Sequence, residues 1–201
     1  MKNIYLIILC LFILFLASPS SYAYGIRVQR DYRFTTQQDR NKRIEVYHDY
    51  LTKAGFFDEN NAKHILNFKK YEKDRNYKDN LKYIKFDTPL SQTGYTVKGN
   101  YYKMADKILE NYSIIYDNDP DTEYIYNTQG RLYQVVIYTG DTNVRPHYKA
   151  VYAFNGYLQK VHFFAVDGYE YIFLPDGDLQ GVVVDGKLYN TAGRPLKIWL
   201  K

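Results

Sequence analysis

The chain is poor in the residues that most often carry chemistry: one cysteine, one tryptophan and two methionines in 201 residues. The cysteine, Cys10, falls in an apolar leader, so an exported form holds no disulfide, no thiolate nucleophile and no cysteine-ligated metal. Serine is nearly absent after the leader: Ser91 and Ser113 remain, and neither lies in the Gly-x-Ser-x-Gly elbow of serine hydrolases. His48 and His64 lack the His-Glu-x-x-His spacing of zinc hydrolases. No motif implies a cofactor. Without disulfide staples the fold depends on its core, and residues 24–201 suffice for one good core or two small ones.

Residues 1–23 read as a cleaved signal peptide. Lys2 supplies the positive start, Ile4 to Ala17 form one apolar run, and Ser21-Tyr22-Ala23 offers small residues for cleavage after Ala23. The run is shorter than the roughly 20 residues of a membrane-spanning helix. An uncleaved N-terminal anchor is the alternative; after cleavage no membrane span is expected. The protein is thus expected in the periplasm, secreted or on the cell surface. Its formal net charge is +5, one unit of which is Lys2. Modest basicity in an exported protein favours a cell-envelope polymer or an acidic protein partner, and no nucleic acid is expected.

Tyrosine is abundant, at 24 residues. Its large ring and polar tip suit half-exposed sheet faces and binding surfaces. Residues 24–111 read as mostly helical. Thr35 and Gln38 resemble a capping box, Ile44, Tyr47, Leu51 and Ala54 follow at helical spacing, and Gly55 can end that helix. Asp58 can cap a second helix bearing Ala62, Ile65 and Leu66. Met104, Ile108, Leu109 and Tyr112 suggest a third after Gly99-Asn100. The lysine-rich stretch from Lys69 to Phe86 interleaves Tyr71, Tyr77 and Tyr83, but Glu72, Asp74 and Asp79 dilute its charge, and it reads as a solvated helix face or linker.

Residues 112–201 change to a period of two. Strands are expected near 112–117, 122–127, 132–139, 147–154, 157–166, 169–174, 179–184 and 196–200. Asn155-Gly156, Asp167-Gly168, Asp176-Gly177 and Asp185-Gly186 are tight-hairpin signals. One phrase recurs: YNTQGRL at 126–132, FNGYL at 154–158, FLPDGDL at 173–179 and YNTAGRPL at 189–196. It reads as a hairpin unit: an aromatic closes one strand, polar residues and Gly turn the chain, and Leu opens the next. The expected fold is α+β, with short N-terminal helices followed by a twisted antiparallel β-meander that packs with them.

The segment YNTQGRLYQVVIYTG, 126–140, resembles a YD repeat of the Rhs type, Tyr-Asp-x-x-Gly-Arg-Leu followed by a β stretch and a Gly. It is also similar to MORN-variant repeats, in which Tyr-x-x-x-Gly-x-Leu recurs in short hairpins. Asn127 and Asn190 stand where YD repeats have Asp. The resemblance covers about 126–196 and implies a β-hairpin array in an exported or surface-associated protein, with no catalytic residues to carry over.

Three site readings arise from the residues. Tyr148, Tyr152, Tyr169, Tyr171 and Trp199 can form a tyrosine-rich sheet surface for a glycan, an envelope polymer or a protein, the non-enzymatic reading that is favoured. His147, His162, Arg145 and Glu170 fall on neighbouring expected strands and could serve acid–base work on a phosphodiester in a small secreted ribonuclease-like hydrolase. An inhibitor or immunity protein would use the loop DTNVRP at 141–146. The acidic loop with Asp117, Asp119 and Asp121 offers alternating oxygens to Ca²⁺, but lacks the sharp-turn Gly and the closing Glu of such loops.

Overall fold

The computed structural model describes residues 35–57, 64–85, 88–104 and 107–199, with the side chains of 102–109 and 197–199 outside that description. The leader and residues 58–63, where the second helix is expected to begin, lie outside the described residues. Ile65 and Leu66, expected on that helix, are instead extended chain, with Ile65 bridged to Tyr157 and the Leu66 amide bonded to the Gly156 carbonyl. The fold is α+β. Among the described residues, eleven strands form one antiparallel meander in chain order: β1 Leu90–Gln92, β2 Tyr95–Met104, β3 Lys107–Tyr116, β4 Asp119–Asn127, β5 Leu132–Thr139, β6 His147–Ala153, β7 Leu158–Phe164, β8 Glu170–Phe173, β9 Leu179–Val184, β10 Lys187–Tyr189 and β11 Pro195–Trp199. Helix α1 spans Gln37–Lys53 and the single turn α2 spans Tyr77–Asn80.

The sheet starts well before residue 112. The apolar residues expected on a third helix lie in two strands, Met104 at the end of β2 and Ile108, Leu109 and Tyr112 in β3, which pair from Tyr95↔Tyr116 to Met104↔Lys107. A long hairpin partner, not local periodicity, decides that segment. Gly99, read as a helix boundary, sits inside β2 because a Cβ there would lie 2.1 Å from the Ile84 carbonyl oxygen. Helix α1 forms as expected but is capped one residue later: the Thr36 hydroxyl accepts from the Asp39 amide and donates to its carboxylate.

The recurring phrase is one turn built repeatedly. At Asn127, Ala153, Ala165, Leu174 and Asn190 the amide donates to the carbonyl four residues on, and the glycine three residues on donates back. Gly130, Gly156, Gly168, Gly177 and Gly193 all have positive φ, while the residues before them do not. This is a type I turn closed by a glycine bulge. The two-residue turn expected from Asn-Gly and Asp-Gly occurs at Asp185-Gly186, where both φ angles are positive. In four hairpins the residue four before the glycine pairs with the residue two after it: Tyr126↔Leu132, Tyr152↔Leu158, Phe173↔Leu179 and Tyr189↔Pro195. The aromatic of the second phrase is therefore Tyr152, and Phe154 is exposed in the turn.

These four hairpins share one end of the sheet because alternate connections fall on the same side. The N-terminal segment runs along that end in reverse order. Asp74 donates its amide to the Gly130 carbonyl and Leu66 to that of Gly156. Ile65 bridges Tyr157, and Lys73 bridges Arg131. His48 lies against Gly177 and Arg40 against Gly193. The glycine thus serves two purposes, the left-handed turn residue and the clearance for this strap.

One face of the sheet carries the main core. Tyr112, Tyr126, Val135, Tyr152, Val161, Phe163, Tyr171 and Phe173 pack there with Leu51 and Phe56 from the α1 region and Phe68 from the strap. Asp167 fastens α1 to this face: Tyr47 and Tyr171 donate hydroxyls to one carboxylate oxygen at 3.2 and 2.9 Å, and the Tyr169 amide donates to the other. Arg43 lies 3.7 Å away. Burial, reinforced by this carboxylate, raises the phenol pKa of both tyrosines. Asp167→Asn keeps the size but loses the charge, and is expected to cost about 1–2 kcal/mol. Urea unfolding measures this, with loss of helix signal at lower denaturant than in the wild type.

Candidate functional site

The opposite face of the sheet mixes polar and charged side chains with apolar ones. Register places its residues, since cross-strand partners share a face. Lys149 stands opposite His162, Val151 opposite Lys160, and Phe164 opposite both His147 and Glu170. Further along, Ile125, Val136 and Val151 form a small apolar patch with Tyr138 beside it. A buried carboxylate, Glu123, accepts hydrogen bonds from the Ser113 hydroxyl at 2.5 Å and from Tyr138 at 3.0 Å. Among the described residues, the patch gathers side chains of the sheet alone.

At the centre is a His–carboxylate pair. His162 Nδ1 is hydrogen-bonded to Glu170 Oε1, and the His162 side chain is only 8% exposed. Burial pushes the imidazole below its ordinary range against the opposing pull of Glu170, with Lys149 and Lys160 adding to the depression. For Glu170, burial alone would raise the carboxyl, but the hydrogen bond from His162 and the two lysines outweigh it and hold it low. The pair is therefore a carboxylate accepting from the Nδ1–H of a neutral imidazole, which leaves Nε2 as a lone-pair acceptor. That Nε2 is buried and has no hydrogen-bond partner. Burial also lowers the Lys160 pKa, with Lys149 contributing repulsion. Among the described residues, neither lysine has an ion pair; the Lys149 ammonium lies 5.3 Å from the Phe164 ring centre.

Of the four residues read as a hydrolytic set, His162 and Glu170 thus meet directly. His147 shares their face, stacked on Phe164 at 4.5 Å, with Nδ1 bonded to the Val144 carbonyl. The Arg145 guanidinium donates to the carbonyls of Ala165 and Tyr169, both at 3.0 Å, bracing the β7–β8 hairpin. The tyrosine surface is corrected: Tyr152, Tyr169 and Tyr171 are buried, and Tyr148 is half-buried with its ring edge-on to Phe56. Alternation put these rings inward, where the N-terminal elements cover them. The Trp199 side chain lies outside the described residues. Asp119 spends both carboxylate oxygens on the Thr122 and Tyr124 hydroxyls, while Asp117 and Asp121 are exposed. Among the described residues no three acidic, histidine or cysteine side chains cluster as a metal site. Loop 141–146 is exposed throughout. No described helix is long and apolar enough to cross a membrane.

Lys149 and Lys160 were not read as site residues from sequence, although His147 and Lys149, and Lys160 and His162, show the i, i+2 alternation that puts each pair on one face. Glu123, Ser113 and Tyr138 join only through register. No family model, curated protein or solved structure matches the chain.

The pair makes stability depend on pH. Both groups have folded pKa values below their ordinary ones, so the unfolded chain binds more protons as pH falls. Stability present at neutral pH is lost first as pH drops below the ordinary imidazole value of 6.5, then below the ordinary carboxylate value of 4.5. Thermal melts at pH 7.5 and pH 5 are expected to show the lower midpoint at pH 5. The gap is expected to narrow in His162→Phe.

Proposed function

We propose that the protein is an exported binding protein, without a reaction of its own, whose contact surface is the polar face around Lys149, Lys160, His162 and Phe164. Its partner is an acidic polymer of the cell envelope. The observation that carries this reading is the pair of half-buried lysines held side by side with one carboxylate, Glu170, between them, which is itself bound to His162. Among the described residues they have no direct ion pair of their own, whereas half-buried cations are ordinarily paired. Phe164, half-buried and backed by the buried His147 ring, adds flat apolar area beside them, which suits a polymer that presents rings as well as charge. The tyrosines first expected to make the contact instead build the core that holds this face in place. The hairpin-array likeness to YD and MORN-variant repeats fits a surface-associated scaffold.

The test is co-sedimentation of the purified protein with insoluble cell-wall material at low and high salt. Wild type is expected to pellet at low salt, and Lys149→Gln/Lys160→Gln to stay in solution. Equal pelleting of both proteins would remove the polar face from the reading.

A hydrolase is the second reading, favoured by one feature, the His162–Glu170 pair, because an oriented neutral imidazole is a general base. Turnover of a phosphodiester that vanishes in His162→Phe would replace the binding reading with this one.

A further inference from the structure

The polar face contains two kinds of unsatisfied group side by side. His162 Nε2 is buried without a partner, which is rare in folded proteins. Lys149, directly across the β6–β7 pair, and Lys160, two residues before it on β7, are cations without an ion pair among the described residues. A ligand that completes both must bring negative charge for the lysines and a hydrogen for Nε2. Sulfate and simple carboxylates bring only the charge. A phosphate that keeps one proton brings both.

Resting on the polar-face reading, we propose that His162 Nε2, flanked by Lys149 and Lys160, is the acceptor of a subsite for a hydrogen-phosphate group. Glu170 is the positioning residue. By accepting the Nδ1 proton, it fixes the tautomer in which Nε2 has a free lone pair. Phe164, which stands opposite Glu170 and lies under the Lys149 ammonium, walls one side of the subsite. Two carriers share this chemistry, free inorganic phosphate and the phosphomonoester end of a polymer.

The groups facing His162 are Lys149 from β6, Lys160 from β7 and Glu170 from β8, with Tyr138 beyond Lys149 on β5. Protonation of His162 on acidification turns Nε2 from acceptor to donor. The advantage of hydrogen phosphate over sulfate is then lost.

The experiment is calorimetric titration of the full-length protein with inorganic phosphate, glycerol 3-phosphate and sulfate at pH 6.5 and low ionic strength. A phosphomonoester with a second pKa near 6 still carries its proton in part there. Phosphate is expected to bind at least about tenfold more tightly than sulfate, the effect of one buried hydrogen bond made or left unmade. His162→Phe is expected to bring phosphate down to the sulfate level and leave sulfate unchanged. Should that variant not fold, the wild type at lower pH supplies the same test, with phosphate and sulfate converging. Binding of inorganic phosphate alone assigns the subsite to the free ion, and binding of the ester to a polymer end. Sulfate matching phosphate at pH 6.5, or neither anion binding, overturns the subsite. If neither binds while the wall material still pellets the protein through Lys149 and Lys160, the subsite falls and the polar-face reading stands. If pelleting fails as well, both fall.

Discussion

Gly156→Ala is expected to destabilise the protein by about 2–5 kcal/mol, against about 1–2 kcal/mol for Gly186→Ala. Both glycines have positive φ, 90° and 72°, so both variants carry the strain of a side chain in a left-handed turn. They differ in what the new Cβ meets. At Gly186 there is nothing within 4 Å, whereas at Gly156 the Leu66 carbonyl oxygen would be 1.7 Å away. That oxygen is backbone, and Leu66 is bound in turn to the Gly156 carbonyl through its own amide at 2.8 Å. The strap must therefore leave the hairpin, exposing the core around Phe68 and Leu158. Chemical denaturation of the two variants measures the difference. Equal losses would mean that the N-terminal segment does not seat on the hairpin ends.

Removing both lysines of the polar face is expected to weaken binding to acidic envelope polymer by about 30-fold, or about 2 kcal/mol, from two cation–anion contacts. The salt dependence is expected to flatten in step, its log–log slope falling by about two, as it does for any dense polyanion that loses two cationic contacts. The control removes the same charge elsewhere. Lys69 and Lys78 are exposed on the N-terminal segment, and Lys69→Gln/Lys78→Gln is expected to leave both affinity and slope close to wild type. A protein attracted only by its net charge would respond equally to the two double variants. The comparison therefore separates a defined surface from diffuse attraction.

Much of the sheet could be read in advance because its turns are written in residues that leave few choices. Gly130, Gly156, Gly177 and Gly193 mark four hairpins, and strands β4 to β9 fall where period-two alternation and turn spacing put them. The turn type was misread because Asn-Gly and Asp-Gly serve a two-residue turn and a glycine-bulge turn alike. Which one forms depends on the pairing of Tyr152 with Leu158 or Phe173 with Leu179, a non-local property. The β2–β3 hairpin was missed for a related reason: Met104, Ile108 and Tyr112 satisfy a helical period, and only the partner strand overrules it. The site was half legible. His162 and Glu170 were singled out together, but alternation alone does not say which face of a two-sided strand meets the helix. That ambiguity sent Tyr152 and Tyr171 to the surface and left Lys149 and Lys160 without a role.

The measurement that bears most directly on the polar face as contact surface is binding of soluble acidic wall polymer at increasing salt by three proteins: wild type, Lys149→Gln/Lys160→Gln and Lys69→Gln/Lys78→Gln. The expected result is loss of affinity and of salt slope in the first variant alone. Indistinguishable curves for the two variants would contradict the assignment and leave the polar face without a function in binding.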